Sequence, residues 1–555
     1  MLFAQLEGYL NQLLQKALAE GLNLPESIVS GIKPPFLEIP KEESFGDIST
    51  SLALKLAQAL KTSPKETAEK LLAYLDQEIP NSCLKDFIEK TDIAGAGFVN
   101  FHFSKEYFYS LLKQALINAK DYFASKSKKT KKVLLEFVSA NPTGPLSVAH
   151  GRQAAVGDAL CNVLVLSGYE VTREYYLNDA GNQINILGNS IHLRLEELSG
   201  ERIEFPDDHY QGDYIIALAR ELLEAQQTTA SVEYCKEYGV RRILEIIRKE
   251  LNDFGVKFDS WYSQKSLEKS GKIEKAIALL KEKGFIYEQE GALWFSSTKF
   301  QDDKDRVIVK SDGSYTYLAP DIAYHQDKFK RGFDWLINLW GPDHHGYILR
   351  LKAALLALGK EKEALNVIIV QLATLLRAGK VISMSTRKGE YITLRQVLDE
   401  VGLDAARFFF LMRRTDSHLD FDLELAKQQT QENPVYYVQY AHARIASILK
   451  NSKVPPSQIQ EADLSLLKEK EEINLLKAIS KFENCLRVAE IQLDPYCLTT
   501  YLQELAERFH RFYDSLRVLV EDGGVRDARL ALILGCKNII ALGLKLSGVS
   551  APEKM

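Results

Sequence analysis

The sequence predicts a multidomain protein: an α/β doubly wound (Rossmann-like) parallel-sheet domain between an N-terminal α+β domain and a C-terminal all-α helix bundle. Three observations lead there. The chain has 555 residues, too many for one ordinary core. Between residues 133 and 372 apolar runs alternate with helical patterns, the order expected of a parallel sheet with crossover helices. After about residue 400 the helical spacing continues to the end with no clear strand-like alternation.

Each element has its own signal. In the N-terminal domain, residues 1–125, Leu6, Tyr9, Leu10, Leu13 and Leu14 fall at helical spacing, and Leu52, Leu56, Ala59 and Leu60 do so again. Residues 97–103 largely alternate apolar and polar positions and read as a half-buried strand. The run Lys126, Lys128, Lys129, Lys131 and Lys132 marks a boundary and reads as a solvated linker. The central domain is assigned to 126–400. Its first strand is 133–138, followed by a helix over 153–166 and a second strand over 169–177. Residues from about 200 to 255 are charged and helical and read as an insertion. Further strands are predicted at 335–340 and 366–372. The C-terminal bundle is assigned to 401–555, with Tyr436, Tyr437, Tyr440, Ala441 and Arg444 along one helix.

Composition narrows the class. Hydrophobic residues make up 46% and charged residues 26%, as in a soluble globular protein. No apolar run reaches the roughly 18 residues of a membrane span. The first residues lack a basic segment followed by an apolar core, so no secretory signal is expected. Six scattered cysteines form no C-x-x-C pair, so neither a zinc site nor a disulfide framework is expected. Buried thiols in a reducing cytoplasm fit better. A net charge of −5 does not by itself point to a nucleic-acid partner, nor exclude one, because a local basic face decides that.

The most informative segment is 139–152, Ser-Ala-Asn-Pro-Thr-Gly-Pro-Leu-Ser-Val-Ala-His-Gly-Arg. It is a Pro/Gly turn from a buried strand into a helix. In an open parallel sheet, nucleotides bind there, because helix N–H groups point outward at the carboxyl edge. His150 adds a phosphate donor. Two more loops are predicted at the same edge. One is Gly341-Pro342-Asp343-His344-His345-Gly346. The other is the polar, basic stretch 380–389, Lys380 to Gly389, whose cations suit closure on a triphosphate. His344 and His345 are adjacent and lack a third ligand, so no metal is expected there.

These loops resemble the two signature motifs of class I aminoacyl-tRNA synthetases, and their details resemble the arginyl-tRNA synthetase family. Residues 140–150 match that family's extended nucleotide motif, which usually ends His-Val-Gly-His. Residues 383–389 sit where the family carries Lys-Met-Ser-Lys-Arg-Lys-Gly. Further matches are Glu43 to Asp47, Tyr175 to Gly181, Gly341 to Tyr347, Asn433 to Tyr440 and Gly548 to Met555. Their order over the whole chain excludes coincidence.

The resemblance implies an enzyme: ATP and L-arginine give arginyl-adenylate, and the arginyl group passes to the 2′-hydroxyl of the terminal adenosine of tRNA(Arg). It implies Mg2+ with the ATP, no zinc and no prosthetic group, a cytoplasmic location and a monomer. It assigns Glu136, Asn141, Tyr317 and Asp321 to arginine. A guanidinium has five fixed donors, and carboxylates placed for bidentate pairing select it over lysine. From the residues alone, Glu136 also reads as an edge-strand acid and Asp321 as a helix N-cap. ATP is assigned to Ala140, Gly144, Ser147, His150, Asp343, His344, His345, Met384 and Ser385. Catalytic positions are His150, Ser147, Lys388 and Arg387. Tyr436, Tyr440 and Arg444 face tRNA or pack between helices.

The chain departs from the pattern at four positions. Ser147 replaces the usual first histidine and Ala149 the usual glycine; Ser383 and Thr386 replace two lysines. Losing a charge-assisted bond at Ser147 costs ~1.5–3 kcal/mol unless something replaces it. The alternative is therefore a catalytically weakened paralogue that binds tRNA for binding or regulation. A small-molecule nucleotidyltransferase fits the first loop but not the flanking domains.

Overall fold

The structure is a computed structural model describing residues 2–34, 36–40, 42–124, 129–377, 379–382 and 391–555. At its centre five strands run parallel: β1 (Lys132–Glu136), β2 (Glu170–Leu177), β3 (Ser260–Ser263), β4 (Trp335–Trp340) and β5 (Leu365–Ile369), in the spatial order β5-β4-β1-β2-β3. β1 is the middle strand, so Glu136 is not an edge-strand residue. The order reverses between β1 and β4, the switch point where open α/β sheets bind ligands.

β1 ends at Glu136, two residues before the predicted end. Val138 and Ser139 take left-handed backbone conformations (φ 66° and 40°), which turns the chain out of the sheet. The helix that follows, α1 (Val148–Leu166), starts five residues earlier than predicted, so His150 lies in its first turn. It is almost wholly buried, with Gly157 against the Phe137 ring, where a Cβ would approach to 2.4 Å.

The insertion is a three-helix unit. α2 (Asn182–Leu198) packs on α3 (Asp213–Glu224) and α4 (Val232–Asp253). Between β3 and β4 lies an antiparallel sheet, Ile286–Gln289, Ala292–Phe295 and Arg306–Val309, that the sequence reading missed. Its strands are four residues each, too short for a period-2 signal to emerge. Then comes α5 (Leu318–Lys330), which lies against the main sheet.

The region after residue 400 is not entirely helical. Leu419–Asp422 pairs in parallel with Ala373–Arg377, which also forms a hairpin with Lys380–Val381. The loop that begins at Lys380 therefore leaves from this small sheet, not from the parallel one. The terminal helices, beginning with α6 (Pro434–Ser452), build the bundle. The N-terminal domain is docked on it: Phe3 and Ala4 donate their N–H groups to Glu483 at 3.1 and 2.9 Å. Lys129 pairs with Glu490 and covers the Tyr169 ring, so that end of the lysine run is not a free linker. A buried Arg407 joins three units, donating to Asp158 (2.6 Å), Phe254 O (3.0 Å) and Ser547 O (3.0 Å). Gly548 (φ 69°) passes over that guanidinium so closely that any side chain would collide with it. Among the described residues no helix is long and apolar enough to cross a membrane.

Candidate active site

A row of polar side chains crosses the sheet at its carboxyl edge. Asn338 of β4, Glu136 of β1, Glu174 of β2 and Ser260 of β3 are successive cross-strand partners. Such a row inside an apolar sheet is costly unless each member is satisfied. α5 satisfies it. Lys328 donates to Glu136 Oε2 at 2.5 Å and to Asn338 Oδ1 at 3.2 Å. Asn338 Nδ2 donates to His325 Nε2 at 2.8 Å, and His325 Nδ1 donates to the Asp321 carbonyl at 2.8 Å. Arg331 grips Glu174 with two bonds of 2.5 and 2.8 Å, and Tyr324 adds a third at 2.7 Å. Burial holds His325 well below its ordinary value, so it is a neutral link.

Glu136 therefore already has a resident cation, and its other oxygen accepts from Ser139 Oγ at 3.3 Å. The same Ser139 oxygen accepts from the Tyr176 N–H at 3.1 Å, tying the turn to β2. Asp321 differs. It is the fourth residue of α5, whose N-cap position is Tyr317, so it is not a helix cap. It has no ion-pair partner among the described residues. Burial raises its carboxyl to about 7; the Tyr347 hydroxyl opposes this and the neighbouring Glu136 charge adds to it. Tyr317 beside it is 79% exposed. Asn141 turns toward α2, donating to Gln183 Oε1 at 2.6 Å.

The other end of the 139–152 loop is neutral. The Ser147 N–H donates to His150 Nδ1 at 3.1 Å, and Ser147 Oγ lies 3.1 Å from the same nitrogen. An acceptor at Nδ1 places the ring proton on Nε2, so His150 offers an N–H donor. Burial lowers His150 to about 4, so it is uncharged at neutral pH. Ala140 is fixed by the Tyr175 hydroxyl, which donates to its carbonyl at 2.8 Å. Asp343, His344 and His345 lie exposed on one turn of 3-10 helix directly after β4. Gly341 at its start approaches Gln153 of α1, so the two loops are neighbours. Met384, Ser385, Arg387 and Lys388 lie outside the described residues.

Comparison with known proteins decides the class. Residues 6–103 match the arginyl tRNA synthetase N terminal domain. Residues 111–445 match the tRNA synthetases class I (R), catalytic domain, and 438–555 match the DALR anticodon binding domain. The chain belongs to the arginyl-tRNA synthetase family. An arginine--tRNA ligase of Syntrophotalea carbinolica is 46% identical over 99% of this chain and 100% of its own length. One of Bacillus subtilis is 45% identical over 98% and 97%. The arginyl-tRNA synthetase of Thermus thermophilus, at 23% identity and a TM-score of 0.78 over 99% of this chain and 100% of that one, shows the shared fold. The family uses ATP, generally with Mg2+.

The structure brings Glu136, Asn141, Ser147 and His150 of one loop and its strand to the same sheet edge as Tyr317, Asp321 and the 341–347 turn. Tyr436, Tyr440 and Arg444 lie elsewhere, on α6. The Tyr436 and Tyr440 rings stack at 6.2 Å, Tyr440 stacks on His510 at 5.8 Å, and Arg444 covers Tyr440 and Tyr513. The sequence reading missed Tyr324, His325, Lys328 and Arg331. A signal was present: positions 321, 324, 325 and 328 are polar at i, i+3, i+4 and i+7, the spacing of one helix face.

Proposed function

We propose that this chain is an ATP-dependent arginine–tRNA ligase whose pocket leaves Asp321, unpaired among the described residues, for the substrate to neutralise. One observation carries the specificity. Glu136, Glu174 and Asp327 each have a resident cation, Lys328, Arg331 and Lys272. Asp321 has none among the described residues. The arginine guanidinium supplies it, with Tyr317 closing over the planar group. Glu136 acts from beneath, held in place by Lys328. Asn141 holds the amino acid's α-substituents.

The chemistry then needs positioning and not an enzyme nucleophile. The arginine carboxylate oxygen attacks the α-phosphorus of ATP, and pyrophosphate leaves. His150 Nε2–H donates to phosphate oxygen; Ala140, Gly144 and Ser147 shape the nucleotide's seat; and Asp343, His344 and His345 flank it. Arg387 and Lys388 take the part of the missing lysines, with Met384 and Ser385 completing that motif. Mg2+ arrives with the nucleotide. The 2′-hydroxyl of the terminal adenosine of tRNA(Arg) next attacks the arginyl carbonyl and AMP leaves. Tyr436, the outer ring of the stack on α6, offers a face to an unpaired anticodon base, with Tyr440 and Arg444 behind it.

The test is charging of tRNA(Arg) with labelled arginine, with and without ATP. Charging that requires ATP and arginine, and fails with lysine, supports the reading. Binding of tRNA without charging would instead favour the weakened paralogue that Ser147 and Ala149 raise.

A further inference from the structure

The 139–152 loop is held at its backbone by two distant segments. Three consecutive stretches of it are gripped in turn. Tyr214 of α3 donates its hydroxyl to the Thr143 carbonyl at 2.8 Å. Tyr391 donates to the Pro145 carbonyl at 3.0 Å. Glu250 of α4 accepts the Leu146 N–H at 3.2 Å, and the Leu146 carbonyl accepts the Leu394 N–H at 2.7 Å. Ser147 and Thr393 form an isolated β-bridge. The two outside segments also join each other, because Arg395 donates to Asp253 of α4 at 3.0 Å. Gly144 sits between the tyrosines, and a Cβ there would lie 3.2 Å from both hydroxyls.

Glu250 is a buried carboxyl at the far end of a surface insertion helix, with its oxygen spent on one backbone N–H. A fold that needed only a packed helix end would place an apolar residue there. The grip instead fixes the loop residue by residue. It ends at Ser147, whose own N–H orients the His150 ring.

We propose that Tyr214, Glu250 and Tyr391 are positioning residues for adenylate formation. They clamp residues 143–146 so that the Ser147 N–H meets His150 Nδ1 and aims Nε2–H at the phosphate. The helical insertion thereby belongs to the ATP half of the site. This rests on the ligase reading, and it deepens it by assigning the loop's geometry to residues outside both signature motifs. It also explains how a chain with Ser147 and Ala149 keeps its histidine aimed: the aim comes from backbone held at three points and not from the replaced side chains.

Steady-state ATP–pyrophosphate exchange with tRNA present tests it on Glu250→Ala, Glu250→Gln and the double variant Tyr214→Phe/Tyr391→Phe. Glu250→Ala and the double variant are expected to lower kcat/KM for ATP by roughly 10-fold or more, as loss of one or two buried hydrogen bonds predicts. The arginine KM should move less than about 2-fold, since the Asp321 end is held by other contacts. Glu250→Gln keeps an acceptor for the Leu146 N–H and should recover most of the loss. A merely structural role would lower the Tm of Glu250→Ala and change both KM values alike, and that outcome overturns the proposal. So does unchanged exchange in the double variant. If the wild-type chain does not exchange at all, the ligase reading fails on its own. The clamp is then judged by calorimetric ATP binding, where an unchanged Kd in folded Glu250→Ala overturns it and a weakened one supports it.

Discussion

The two ends of the 139–152 loop are built on opposite principles. The end we assign to arginine is buried, charged and held by side chains: Glu136, Lys328, Asn338 and His325 form one connected layer, each fully or almost fully buried. The end we assign to ATP centres on a neutral histidine and is held at its backbone: the Ser147 N–H on His150, and the Thr143, Pro145 and Leu146 peptide groups on their partners. The difference fits what the proposed reading has each end recognise. A guanidinium brings its own charge and must find a carboxylate held at fixed geometry. A triphosphate brings its counter-ion with it, and what it requires is donors aimed correctly. Side-chain identity is therefore restrictive at one end and more tolerant at the other.

Breaking the charged layer should give the largest effect. Lys328→Met leaves Glu136 buried without its cation, and loss of one partner of a buried pair costs about 3–5 kcal/mol. Urea denaturation should show that loss. The double variant Glu136→Gln/Lys328→Met should regain most of it, because removing both charges leaves nothing uncompensated. A double variant as unstable as the single would show that the pair is not the reason Lys328 lies there.

Next is Asp321, the acid with no resident cation among the described residues. Asp321→Asn keeps the shape and removes the charge, and truncating one side of a desolvated ion pair costs about 2–5 kcal/mol of binding. kcat/KM for arginine in the charging assay should fall roughly 100-fold or more, with the ATP KM little changed. An Asp321→Asn enzyme with an ordinary arginine KM would move the recognition role to Glu136.

The same acid gives a pH signature. Its carboxyl is raised to about 7, and only the ionised form pairs with a guanidinium. The arginine KM should therefore be flat above pH 7 and rise as pH falls below it, approaching about tenfold per unit. His150, lowered to about 4, stays neutral throughout, and Glu250, which burial raises to about 7, still accepts the Leu146 N–H through its carbonyl oxygen when protonated, as in Glu250→Gln, so the ATP KM should move far less. Measuring both KM values from pH 6 to 8 separates the two ends. A shared pH dependence, or one that persists in Asp321→Asn, would contradict the assignment.

Legibility in the sequence divides along the same line. Strands β1 and β4 were readable because parallel, doubly covered strands are continuous apolar runs, and Glu136 stood out as an acid inside one. The β1–α1 turn was legible from Pro142, Gly144 and Pro145, although its left-handed residues proved to be Val138 and Ser139, types that carry no turn signal. The resemblance supplied Tyr317 and Asp321. What stayed hidden were partners far away in the chain: Lys328 lies 192 residues from Glu136, and Glu250 lies 104 from Leu146. Leu419–Asp422 escaped because a four-residue strand between helices has no period to detect.

The smallest expected effect is the most instructive about the neutral end. Ser147 stands where the family usually has histidine, which suggests a lost phosphate contact. In the structure two things at Ser147 touch His150 Nδ1: the backbone N–H and the hydroxyl, both at 3.1 Å. Ser147→Ala removes only the second, and with it the preferred N-cap side chain of α1. The expected cost is about 1 kcal/mol of stability. The exchange rate should fall by less than about tenfold, since the backbone N–H still fixes the ring proton on Nε2. A loss of roughly 100-fold in Ser147→Ala, with the fold intact, would mean that the hydroxyl itself meets the phosphate. The ATP end would then depend on side-chain identity as strictly as the arginine end.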